Sequence, residues 1–365
     1  MILLRSIGFI AQNFMFIMAG IIGIGFCIGF HELGHYLFCK LFDVRTPSFS
    51  IGFGPSIWKK KIGETQFTLA AIPLGGYVEI AGAAEVGQGD QKDSQAKDKR
   101  SFAIKPYWQK LLIMLGGIIF NLMFAYFALI LLHIIGMPKS VPVIKAVADQ
   151  SIAQKLDFQP QDRITAVNGQ EINQDLSKLY NALLSGQETT VTITRNDQNL
   201  TIPVAAGTSP DNLGVTFVSV KNEGLSFAES VKKGIALTNK YIIGTAMALK
   251  NMFSKRDVSG LQGPLSIIQI MSKGIQESFG LFLLLLALIS VNLAILNLIP
   301  LPILDGGQIL FYTIEAIIRR PIHAKVREYI HIGSWILILG LIVWLSAQDV
   351  WRMVKPLFAK FTSKV

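Results

Sequence analysis

Charge is scarce in this chain. Of 365 residues only 16% are charged, and acidic side chains are fewer than basic ones, 24 against 34. So little charge beside 51% hydrophobic residues excludes an ordinary soluble domain. Cysteine is nearly absent. Cys27 and Cys39 stand 12 positions apart, too far to meet along one helix, and read as packing residues. No global repeat and no low-complexity tract is visible, which removes the internal symmetry that many transporters carry. The first apolar run also does not read as a cleavable secretory leader. The first apolar run exceeds the roughly 7–15 residues of a signal core, only Arg5 precedes it, and no small-x-small cleavage site follows.

What the chain has instead is long apolar runs, at about 7–30, 111–137, 279–304 and 329–348. Each passes the roughly 18 residues that mark a transmembrane helix. The net charge of +10 is explained largely by the loops flanking these runs, so the basic balance points to membrane lipid and not to nucleic acid. Residues 39–110 hold 11 Lys and Arg, and residues 319–328 hold Arg319, Arg320, Lys325 and Arg327. The positive-inside rule places both segments in the cytoplasm and the N-terminus outside, although Arg352, Lys355, Lys360 and Lys364 then fall on the outer side.

Between the spans, Phe67–Ala70 and Tyr77–Ile80 look like strands separated by Pro73 and Gly75-Gly76, which predicts a hairpin turning there. The polar stretch 86–101 reads as a mobile linker. In the insert at about 140–206, Val141–Ile144, Arg163–Val167 and Thr190–Thr194 read as strands. Asn168-Gly169 is a tight turn, and 174–185 reads as a helix. Residues 225–256 alternate apolar and basic positions at helical spacing, as expected of amphipathic helices lying on the outer membrane face.

The chemistry concentrates in His31-Glu32-Leu33-Gly34-His35. Positions i and i+4 share a helix face, so both imidazoles can reach one metal while Glu32 deprotonates a water. Ionisable groups at the end of an apolar span are costly and usually functional. A catalytic zinc site takes three protein ligands, and the candidate third is Asp305, the only acidic residue between Glu277 and Glu315. Iron or cobalt could use the same ligands. Pro300 and Pro302 should break span three just before Asp305, and Gly306-Gly307 permits close backbone approach. With four spans, one and three run the same way, so both motifs fall at similar depth. Asn292 and Asn297 should face the protein interior, where they could hold substrate backbone, stabilise an oxyanion or join helices. Asn121 in span two is open to the same readings. His133, His323 and His331 are read as non-ligands.

The chain resembles the site-2 protease family, in particular the bacterial regulator-of-sigma-E protease type. The shared stretches are His31–His35, Phe49–Gly54, Ile72–Val78, Ser290–Asn292 and Asn297–Gly307. The resemblance implies an intramembrane zinc metalloprotease with His31, His35 and Asp305 on zinc and Glu32 as general base. It implies substrate contacts by Asn292, Asn297, Gly75, Gly76 and Tyr77, the last three on a re-entrant β-structure at about 49–85. The insert, through Gln159–Gly169, resembles one PDZ domain, with Gln161 where the family often has glycine. The expected architecture is a membrane α-helical protein with four transmembrane helices, a re-entrant β-hairpin or sheet and an inserted α+β PDZ-like domain. Its segments are 1–38 (first span), 39–105 (cytoplasmic β region and linker), 106–138 (second span), 139–220 (periplasmic PDZ-like domain), 221–276 (periplasmic amphipathic helices), 277–318 (third span) and 319–365 (fourth span and tail). The implied location is the bacterial inner membrane. The implied substrates are single-span membrane proteins, anti-sigma factors or remnant signal peptides, cut in regulated intramembrane proteolysis. An ion transporter and an inactive peptide-binding scaffold compete with this reading. The first would want repeat symmetry, and the second has no need of Glu32.

Overall fold

A computed structural model describes residues 2–83, 98–173, 175–255 and 261–362. Most of the expected linker, residues 86–97, lies outside the described residues. In chain order the elements are α1 (Ile2–Leu41), β1 (Ser48–Ile62), β2 (Thr65–Glu79), α2 (Tyr107–Ile135), β3 (Pro138–Val147), α3 (Ile152–Lys155), β4 (Arg163–Val167), β5 (Gln170–Glu171), α4 (Ser177–Leu184), β6 (Thr189–Arg195), β7 (Gln198–Val204), α5 (Pro210–Leu213), β8 (Val215–Lys221), α6 (Phe227–Lys255), α7 (Pro264–Glu277), α8 (Phe279–Asn297), α9 (Asp305–Ile318) and α10 (Ala324–Thr362). Two compact units result: 1–134 with 225–365, and 135–224.

Among the described residues, four helices are long and apolar enough to cross a membrane: Asn13–Leu41, Tyr107–Ile135, Phe279–Asn297 and Lys325–Arg352. They match the four apolar runs. The third run is cut short at Asn297, because Pro300 cannot continue a helix and Leu298–Leu304 turns instead. The helix resumes at Asp305.

In the first unit α1, α2 and α8 pack through small residues and aromatic rings. A Cβ on Gly34 would lie 2.2 Å from the Gly116 carbonyl oxygen, and one on Gly116 would lie 2.7 Å from that of Gly34. Only glycine at both positions lets the two backbones touch, as small residues do between membrane helices. Above that contact the rings of Phe26 and Phe30 meet those of Phe120 and Phe124 at centroid distances of 5.2 to 5.8 Å. The Cys27 thiol donates to the Leu286 carbonyl, and Ser290 Oγ donates to the Asn121 carbonyl at 2.9 Å. Both cysteines are buried thiols, as packing residues should be.

The β region departs from the predicted hairpin. The tight turn is at Gly63-Glu64, and Lys59–Lys61 belong to the strand before it. The segments around Phe67 and Tyr77 do not pair with each other. Ser48–Ile51 lies between them, matched to Gln66–Leu69 on one side and to Gly76–Glu79 on the other. An apolar strand read from sequence names no partner, so the inserted strand was invisible to a local reading.

Charges pin this region to the end of α1. Glu64 accepts from both terminal guanidinium nitrogens of Arg100 at 2.7 Å and from Lys40 at 2.6 Å, and Arg100 Nε donates to Asp43. The amphipathic α6 does more than lie on a surface. Gly234 packs against Ile130, Tyr126 donates to Asn239, and Thr245 donates to Asn292, so α6 rests on the flanks of α2 and α8. Its small and polar positions Gly234, Asn239 and Thr245 make those contacts, a packing that the amphipathic pattern alone does not specify.

The second unit carries strands in the order β7-β6-β4-β3-β8, with β5 paired to β4. Its core is Ile144, Phe158, Ile164, Val167, Leu179, Leu183, Val191 and Ile193 with their neighbours. The three predicted strands, the Asn168-Gly169 turn with both residues at positive φ, and the predicted helix are present, the helix shortened to α4. Strands β7 and β8 and the short helices α3 and α5 were not foreseen. Gln198–Val204 alternates weakly and carries Pro203, and α3 and α5 are single turns capped by Ser151 and Ser209.

Hydrogen bonds from Arg100 and then Lys40 hold the Glu64 carboxyl at about 2, below its ordinary 4.5. The stabilisation is therefore complete above that ordinary value and disappears as pH falls toward the lower one. We expect Glu64→Gln to lower the melting temperature modestly near neutral pH, since the network is partly exposed. The gap from wild type should close by about pH 2, as read by thermal melts across pH.

Candidate metal centre

α1 is a long apolar helix, and toward its C-terminal end the sequence places His31, Glu32 and His35 within about one turn. Both histidines are buried, each 6% exposed. The Nε2 atoms of His31 and His35 are 3.1 Å apart. Asp305 is brought to them by the break after α8. It opens α9, where the positive end of the helix dipole favours a carboxylate. Its Oδ2 lies 3.2 Å from His31 Nε2 and its Oδ1 lies 3.4 Å from His35 Nε2. Among the described residues these three form the group of His, Cys and acidic side chains placed to share an ion.

The turn that delivers Asp305 is compact. A Cβ on Gly306 would lie 2.3 Å from the Leu298 carbonyl oxygen, and one on Gly307 would lie 2.1 Å from that of Leu301. Gln308 Nε2 donates to the Pro302 carbonyl at 2.7 Å and ties the turn to α9. From the opposite side α2 leaves room for the imidazoles. A Cβ on Gly117 would lie 2.5 Å from His35 Nε2 and 2.6 Å from His31 Nε2.

A cavity of about 290 Å³ opens on the cluster. His31, Glu32, His35 and Asp305 line it together with Gly75, Gly76 and Asn297. Gly76 lies against Glu32, since a Cβ there would stand 3.1 Å from Glu32 Cγ. The structure does not bring Asn292 or Tyr77 into the lining. Asn292 Oδ1 accepts from Thr245 at 2.9 Å, and Tyr77 is matched in the sheet to Ser50. His133 and His323 also stand away from it. His331 is outside the metal cluster but does line the cavity, with Gln308 at 3.1 Å and the Phe311 ring stacked on it. Neither Gln308 nor Trp335, which also lines the cavity, carried a signal in the sequence. Their approach depends on how α9 and α10 fold back.

Membrane-crossing helices around a buried His-His-carboxylate cluster and an adjacent glutamate define a membrane metalloenzyme of the hydrolytic kind. The match to known proteins is specific. The model for peptidase family M50 covers residues 19–341. A provisionally named zinc metalloprotease of Campylobacter jejuni is 33% identical over 97% of both chains. Similar proteins of Fusobacterium nucleatum and Clostridium perfringens, provisionally named in the same way, are 30% and 29% identical over 93% and 92% of this chain. The chain belongs to peptidase family M50, the site-2 proteases, and is a zinc metalloprotease of the membrane.

The cluster fits zinc. Bonds of about 2.0–2.1 Å in a tetrahedron put ligand atoms about 3.3 Å apart, and the three separations here are 3.1, 3.2 and 3.4 Å. Asp305 Oδ2 is buried and makes no hydrogen bond although His31 Nε2 stands beside it. The ligand atoms thus converge on a common point more than on one another. The bare Cα of Gly117 leaves that point open.

Gly117→Ala adds a methyl at the imidazole nitrogens. The imidazoles must shift to relieve that overlap, which should lower zinc affinity at least about tenfold, as loss of a ligand's support does, and should lower the melting temperature of the zinc-free protein as well. Chelator competition and thermal melts check this together.

Proposed function

We propose that the chain hydrolyses peptide bonds within the transmembrane segments of single-span substrates, with His31, His35 and Asp305 holding zinc and Glu32 acting as general base. The observation that carries this reading is the shared cavity. Three ligand-type side chains, a glutamate and the Gly75-Gly76 backbone line one space in a unit built of membrane-length helices.

Zinc held there supplies Lewis acidity, activating water and polarising a peptide carbonyl. The protein supplies the rest. Glu32 follows His31 on α1 and faces the cavity, where its carboxylate takes the proton of the attacking water and passes it to the leaving amine. Asn297, buried at the end of α8 and lining the cavity, donates to the oxygen that gains charge as the carbonyl becomes tetrahedral. A substrate helix hides its peptide bonds in its own hydrogen bonds and must unwind to be cut. Gly76–Glu79 is matched on one side to Ser48–Ile51 and, among the described residues, to no strand on the other. An unwound segment adding to that edge regains backbone hydrogen bonds and presents its scissile bond beside Glu32.

The remaining features suit this role. Basic flanking loops favour a bacterial inner-membrane location with the metal centre toward the cytoplasm and residues 139–220 in the periplasm. We read that unit as a PDZ-like domain that admits substrates already trimmed outside the membrane. Anti-sigma factors and remnant signal peptides are substrates of the right form, cut in regulated intramembrane proteolysis.

The test uses the full chain in liposomes with a single-span model substrate. Glu32→Gln should abolish cleavage, a loss of at least about a thousandfold at a general base acting on activated water, while retaining one zinc. Asp305→Ala should lose both cleavage and tight zinc. Cleavage by Glu32→Gln at the wild-type rate would overturn the assignment.

A further inference from the structure

His31 meets Asp305 and His35 through Nε2. Its other ring nitrogen, Nδ1, stands 3.1 Å from the side-chain amide of Asn121 on α2. An imidazole that offers Nε2 as a lone pair carries its proton on Nδ1, and that proton needs an acceptor. His35 has one in the carbonyl of Ile113, 2.8 Å from its Nδ1, a group that can only accept. At His31 the same place is taken by Asn121.

Asn121 is fully buried, and its Oδ1 makes no hydrogen bond. With Nδ2 toward His31, the amide would donate to Nδ1 and drive the ring's proton onto Nε2, where it blocks a metal. The two arms of a carboxamide are close in size. A half-turn about the last side-chain bond therefore brings Oδ1 to Nδ1 in the same space. One arm is unpaired in either orientation, so hydrogen-bond count does not choose between them. The demand for an Nε2 lone pair does. The residue's backbone is anchored, since Ser290 Oγ on α8 donates to its carbonyl at 2.9 Å. A neutral acceptor also suits a pocket that already buries Asp305 and Glu32, where a third carboxylate would be costly.

We propose that Asn121 is a positioning residue whose Oδ1 accepts the Nδ1 proton of His31, fixing the tautomer and ring orientation in which Nε2 binds zinc. The inference rests on the ligand set proposed above. It gives α2 a side chain in the metal centre, beside the Ile113 carbonyl of the same helix that orients His35.

The test is zinc affinity of the purified full chain by competition with a chromophoric chelator, with melting of the zinc-free protein as a control. Asn121→Leu keeps the size and removes the acceptor, and should bind zinc roughly tenfold to a hundredfold more weakly. Asn121→Asp keeps the acceptor and cannot donate when ionised, so it should bind within a few-fold of wild type or more tightly. Asn121→Ala replaces Leu in the comparison if the Leu variant does not fold. Wild-type affinity in Leu or Ala overturns the inference, as does an Asp variant that binds as weakly as they do with unchanged zinc-free melting. His31→Ala separates the two levels. If it binds zinc as wild type does, the ligand set itself fails. If it loses zinc while Asn121→Leu does not, only the role of Asn121 falls.

Discussion

Everything in the membrane unit follows from gathering two imidazoles and a carboxylate inside a bundle of apolar helices. Unpaired, each of these groups would be expensive to bury. Together they form a ligand set whose cost is offset by the ion it binds, and the rest of the unit keeps that set in register. The contact of Gly34 with Gly116 sets the spacing of α1 and α2, and Gly117, the next residue, keeps a side chain out of the space between the imidazoles. The same turn of α1 that carries His31 and His35 therefore carries the glycine that lets α2 approach them.

The second constraint is the interruption between α8 and α9. A continuous helix through Asn297 and Asp305 would set the carboxylate at a fixed rise and angle from the amide, with its backbone bonds closed. The proline-rich turn changes both. It puts Asp305 at a helix N-terminus, where the dipole supports its charge, and leaves Asn297 at a helix end facing the same cavity. Irregular backbone at membrane depth is tolerated where it lines a protein cavity, and hydrolysis needs such a cavity for water. The β strands close another side with backbone, which suits a substrate presented as an extended chain.

Much of this was legible in the sequence for specific reasons. Apolar runs announce membrane helices because backbone polar groups have no other partner in lipid. His31 and His35 were legible because helical spacing is a local rule, and Asp305 because an acidic residue alone in an apolar stretch stands out. The Pro300 and Pro302 break was legible because proline cannot continue a helix. What escaped was set by partners distant in the chain. The insertion of Ser48–Ile51 between two parts of β2 is a pairing choice, and the pattern of each strand permits several. Asn292 shows the limit for side chains. Its polarity said that it needs a partner, and that partner is Thr245 on α6, away from the cavity. His331 shows the converse, a histidine read as a non-ligand that lies outside the His31, His35 and Asp305 group and still lines the cavity because α10 packs against α9.

The most direct measurement of the central claim is zinc K-edge X-ray absorption on the purified, zinc-loaded chain. Only nitrogen and oxygen neighbours are expected, at about 2.0–2.1 Å, with outer-shell scattering from two imidazoles that falls to one in His35→Ala. A sulfur neighbour at about 2.3 Å, or a spectrum unchanged by that substitution, would contradict it.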